Sequence, residues 1–163
     1  MNLMVLLHIE DCPDKEPLRH GFYAGSTMAT RITIPNFITK FIYGSWKASE
    51  RFSGCGWVWM DSRENIQLMG TQNFTRCESS LHSEVEAVRW AMENMFQHSP
   101  CQSFGTDCKE LIAMLNDPHE WPSFATELEK IETLNICFPD FKINHVPRVR
   151  NQLSDFLAKT ANS

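Results

Sequence analysis

The run Gly54-Cys-Gly-Trp-Val-Trp-Met60 is apolar at both odd and even positions, so as a strand it offers water neither face and has to be buried. Its neighbours supply partners. Phe37 to Trp46 is rich in β-branched and aromatic residues, Asp61-Ser-Arg-Glu-Asn65 is a turn, and Ile66 to Phe74 returns as a third strand. Connections this short make the three strands an antiparallel meander.

Beyond the meander the period changes from two to about 3.6. Leu81, Val85, Val88, Met92 and Met95 repeat every three or four residues, which predicts an amphipathic helix over Leu81 to Gln97, capped by Ser79 or Ser80. A strand over Cys101 to Thr106 follows, then a helix carrying Leu111, Ile112 and Leu115 that stops at Asn116-Asp117-Pro118. A helix over Ser123 to Leu134, a strand over Phe141 to Val146 and a last helix over Asn151 to Ala161 complete the chain. The order β-β-β-α-β-α-α-β-α predicts an α/β fold: a five-stranded mixed sheet, three strands antiparallel and the last two parallel to the first, with helices on both faces. Residues 1–35, with Pro13, Pro17, Gly21, Gly25 and Pro35 and no sustained period, read as a poorly specified extension preceding a domain at 36–163.

Charge and cysteine usage narrow the function. Fifteen Lys and Arg against twenty Asp and Glu, a formal −5, exclude histone-like wrapping of a polyanion, so any nucleic-acid contact needs a local basic patch. The segment 142–159 is such a patch, with Lys142, Arg148, Arg150 and Lys159 against Asp155 alone. The six cysteines contain no C-x-x-C pair and do not have zinc or disulfide-framework spacing, which points to reduced thiols. The apolar start Met1 to Leu7 ends too early for a signal peptide, and no stretch is long enough to span a bilayer. The expectation is an intracellular, unsecreted monomer without membrane contact, with nucleus and cytoplasm both open.

Two carboxylates stand out by position, each with a plain alternative. At about 100° per residue, Glu84 leans toward the apolar stripe of its helix while Glu86 and Glu93 point away; it is either a boundary glutamate or a functional one. Asp107 sits where a strand hands over to a helix, the place where ligands collect in open α/β sheets. With Glu110 three residues on, it could equally form a capping box. Trp57 and Trp59 share a strand face and are expected in the core rather than on a stacking platform.

Four segments in order resemble the type 1 ribonuclease H family, in particular the reverse-transcriptase-like domains of many plant proteins. They are Ile42-Tyr-Gly-Ser-Trp-Lys47 with Gly54-Cys-Gly-Trp-Val58, Leu81-His-Ser-Glu-Val-Glu-Ala87, Thr106-Asp-Cys108, and His145-Val-Pro-Arg148 with Asn151, Ser154, Asp155, Leu157, Ala158 and Lys159. The resemblance covers about residues 36 to 162. It implies two-metal hydrolysis of the RNA strand of an RNA–DNA hybrid, with carboxylates around two Mg²⁺ ions about 4 Å apart. It places Glu84, Asp107 and Asp155 at three metal ligands and His145 at the histidine that assists proton transfer or product release. Lys142, Arg148, Arg150 and Asn151 fall on the nucleic-acid edge.

The fourth ligand is missing. Where the family has the aspartate that bridges both ions, this chain has Tyr43, whose phenol is neutral at pH 7 with a pKa of about 10. Magnesium prefers compact, hard oxygen ligands, and two dications without their bridging anion repel. The family also carries in some members a basic protrusion that here reads Asn116-Asp-Pro-His-Glu-Trp-Pro-Ser123, without Lys or Arg. The expectations are weak Mg²⁺ binding, impaired hydrolysis and modest, salt-sensitive nucleic-acid affinity. The alternative is a non-catalytic module for nucleic-acid or protein interaction.

Overall fold

A computed structural model describes residues 5–8, 39–61, 63–98 and 102–161. Its elements are β1 (Val5–His8), β2 (Thr39–Ser45), β3 (Phe52–Met60), β4 (Ile66–Thr75), α1 (Ser80–His98), β5 (Ser103–Thr106), α2 (Lys109–Asn116), α3 (Ala125–Asn135), β6 (Lys142–His145) and α4 (Gln152–Ala161). They form one sheet in the order β1-β4-β3-β2-β5-β6. The meander β2-β3-β4 is antiparallel, and β5 and β6 run parallel to β2.

The five expected strands and four helices are all present, with ends shifted by a few residues. The difference lies at the N-terminus, where Val5–His8 adds a sixth strand, antiparallel to β4. A four-residue strand has no period long enough to be read from sequence, and its register on β4 is a long-range pairing. The rest of the 1–35 extension lies outside the described residues.

The doubly apolar strand does what its pattern requires. Trp57 and Val58 are both fully buried, one on each face of β3. On one face, α1 lies against β2 and β3 and carries α2 and α3 on its flank; on the other, α4 lies across β3, β2 and β4. Trp57 joins the core, its ring 5.9 Å from that of Trp90. Two glycines set how closely these helices approach. A Cβ on Gly44 would stand 2.5 Å from the Ser83 carbonyl oxygen of α1, and one on Gly56 would overlap the Ser154 carbonyl oxygen of α4. Neither has a positive φ, so their role is space rather than backbone freedom.

Ser79 caps α1: its Oγ accepts from the His82 N–H at 3.3 Å and pairs with His82 Nδ1 at 2.8 Å. The acidic residues that phase sent outward are outside, where Arg89 bonds Glu86 at 2.7 Å and also pairs with Glu93. Among the described residues no helix is long and apolar enough to cross a membrane. The described cysteines Cys55, Cys77, Cys108 and Cys137 are all free thiols.

Candidate functional site

The C-terminal ends of the parallel strands converge on the edge where α1 starts and α4 begins. β2 pairs with β5 at Lys40↔Phe104 and Phe41↔Gly105; continued, that register brings Asp107 level with Tyr43. Gly44, bare of side chain, lets the first turn of α1 descend onto β2, and its N–H donates to Glu84 Oε2 at 3.0 Å. The close approach that makes Gly44 necessary therefore also delivers Glu84 to the strand end. Burial pushes the Glu84 carboxyl up to about 8, against the opposing pull of the Gly44 bond, with Asp107 adding to the rise.

Asp107 does not cap α2. The N-cap residue is Cys108, which makes no side-chain cap bond, and its N–H goes to Thr106 Oγ1 at 3.1 Å. Asp107 instead accepts from Asn151 Nδ2 at 3.1 Å. The same amide donates to the Ile42 carbonyl at 2.9 Å, and its Oδ1 accepts from Ser154 Oγ. Asn151 is 0% exposed, so it is not a surface nucleic-acid contact but a bracket that ties β2, the end of β5 and the start of α4 together. In the sequence it directly follows the basic run Arg148-Val-Arg150, which groups it with the surface. The signal in hindsight is its spacing to Ser154, three residues on, which fits a helix start closed by side chains.

Asp155 is held by cations. Lys159 Nζ lies 2.7 Å from its Oδ2 and Arg148 3.9 Å from its Oδ1. Arg148 also donates to the Tyr43 hydroxyl at 3.0 Å, its guanidinium carbon 5.7 Å from the ring centroid. Tyr43 is half-buried, and burial followed by the negative field of Asp155 raises its phenol to about 12, with Glu84 and Asp107 contributing and Arg148 opposing. Through Arg148, which reaches both, the Tyr43 hydroxyl and the Asp155 carboxylate share one partner. His145 ends β6 opposite Thr106 and is exposed; Lys142, at the other end of that strand, is exposed too. Arg150 bonds Glu64 at 3.0 Å.

No other acid fills the gap from strand three's surroundings. Asp61 accepts from the Arg63 and Asn65 N–H groups at 2.8 and 2.9 Å inside the β3–β4 turn, and Glu50 pairs with Lys47 at 3.9 Å. The donor set does not suit a pair of Mg²⁺ ions. Burial raises the Glu84 carboxyl, Asp107 is engaged by an amide, Asp155 by an ammonium, and the side chain on β2 level with Asp107 is the phenol of Tyr43. Among the described residues no three His, Cys, Asp or Glu side chains are grouped to hold a metal.

Sheet order, helix placement and this convergent edge define the ribonuclease H-like class. The reverse transcriptase-like family model matches residues 42–161, and the chain belongs to that family. Solved structures agree on the fold. Ribonuclease H1 of the archaeon Halobacterium salinarum superposes with a TM-score of 0.67 at 21% identity, over 76% of this chain and 96% of that one. LC11-RNase H1, isolated from compost and solved in complex with an RNA/DNA hybrid, gives 0.69 at 17% identity over 77% and 96%. The foamy viral protease-reverse transcriptase, solved in complex with dsDNA, gives 0.64 at 19% identity over 77% and 93%. No curated protein matches the chain in sequence.

Proposed function

We propose that this chain binds RNA–DNA hybrids or related RNA and that Tyr43 leaves their two-metal hydrolysis lost or strongly impaired. The observation that carries this reading is the Tyr43 hydroxyl, bonded to Arg148 at 3.0 Å and surrounded by the fields of Glu84, Asp107 and Asp155. A bridging carboxylate would supply the negative charge that keeps two dications together; a phenol raised to about 12 supplies none at neutral pH. Binding survives the loss because it uses other chemistry. Arg148, Arg150 and Lys159 are exposed, and their surface ion pairs are worth under about 1 kcal/mol each, so a phosphate can take them over. The likeness to a ribonuclease H1 solved with a hybrid supports that ligand class.

The test is a labelled RNA–DNA hybrid incubated with the protein and Mg²⁺ or Mn²⁺. The wild-type chain is expected to bind it equally with or without EDTA, to leave it uncut, and to lose it steeply as salt rises. Tyr43→Asp is expected to raise cleavage about tenfold or more. Wild-type turnover equal to that of Tyr43→Asp would refute the impairment.

A further inference from the structure

Beside the carboxylates, helical phase assembles a second surface. Phe156 follows Asp155 by one residue, about 100° round α4, and shares a strip with Gln152 one turn earlier and with Lys159 and Thr160 one turn later. All four are exposed, and Phe156 keeps 64% of its surface in solvent and takes no part in the core. In the turn before α4, Val149 is 70% exposed between Arg148 and Arg150. Arg148 lies 3.9 Å from one oxygen of Asp155 and Lys159 2.7 Å from the other, and Phe156 is the next residue along the same helix.

We propose that Phe156 is a stacking platform for an unpaired base, on a strand whose phosphates lie along Arg148 and Lys159. This rests on the nucleic-acid reading above and narrows it. A base inside a duplex is already stacked on both sides and has no face for an outside ring, so the ligand must carry a single-stranded extension or loop next to the paired segment. One exposed aromatic beside exposed cations combines the two contributions such strands use, π-stacking and phosphate neutralisation. The centre of a protein-docking surface is by contrast depleted of lysine, whereas Lys159 follows Phe156 by three residues, one turn along the same helix.

Fluorescence anisotropy decides it with two probes: a blunt labelled hybrid, and the same hybrid with a five-nucleotide RNA extension. Wild type is expected to favour the extended probe by about fivefold to a hundredfold. Phe156→Ala should abolish the preference while leaving blunt-hybrid affinity unchanged, and Phe156→Trp should keep it. Equal wild-type affinity for both probes, or a Phe156→Ala loss shared equally by both, overturns the platform while leaving hybrid binding intact. A shift from dimer to monomer on Phe156→Ala, with the preference retained, would assign the ring to self-association instead. Failure of either probe to bind would overturn the hybrid reading and the platform with it.

Discussion

Glu84 and Asp107 are held by neutral donors fixed to the sheet, the Gly44 N–H and the Asn151 amide, whereas Asp155 is held by Lys159 and Arg148, whose side chains reach in from solvent. The inner pair is positioned by backbone packed too tightly to yield, and its partners cannot be exchanged for water without opening the fold. The outer carboxylate is neutralised by long, exposed side chains whose pairs screen with salt and can be displaced by a phosphate. One half of the site is thus a structural joint. The other half is a set of ion pairs, which the proposed function assigns to phosphate contact.

The sharpest way to break this contrast is at the joint. Asn151→Ala would leave the Ile42 carbonyl and Asp107 without their common donor, while Ser154 Oγ keeps only the backbone carbonyl of residue 151, and a loss of about 2–4 kcal/mol in urea unfolding is expected. A loss below about 0.5 kcal/mol would mean that the bracket is not structural.

Glu84 gives the next effect, through pH. Its folded pKa, about 8, lies above the ordinary value of 4.5, so its favourable contribution is complete below 4.5 and is lost as pH rises toward 8. Glu84→Gln keeps an acceptor for the Gly44 N–H and removes the titration. It should equal wild type at pH 4.5 and melt higher at pH 8.5, by roughly 3 °C or more. Parallel stability curves across that range would sink the assignment.

The rim should respond least. Arg148→Ala removes an exposed contact to Tyr43 and a long, 3.9 Å pair to Asp155 and is expected to cost less than about 1 kcal/mol, less still in high salt. A cost matching that of Asn151→Ala would erase the distinction between the two halves.

Much of this could be read along the chain because it is local. The doubly apolar run at Gly54 to Met60 announced a strand buried on both faces, and the three-four spacing from Leu81 announced α1 and pointed Glu84 inward. The capping box offered for Asp107 failed because a competing partner, Asn151, comes from 44 residues away. Asp155 showed no helical phase toward the site; α4 crossing β3 on the space left by Gly56 brings it there.

Sequence by itself determined the order and kind of the elements and the inward lean of Glu84, since periodicity and residue chemistry act over a few neighbours. Tertiary structure decided that Asn151 is a buried bracket, that Arg148 turns onto Tyr43, that Val5–His8 joins the sheet, and that Phe156 stays exposed. Those depend on which distant segments meet, and that is settled by packing helices onto a sheet with room at two glycines.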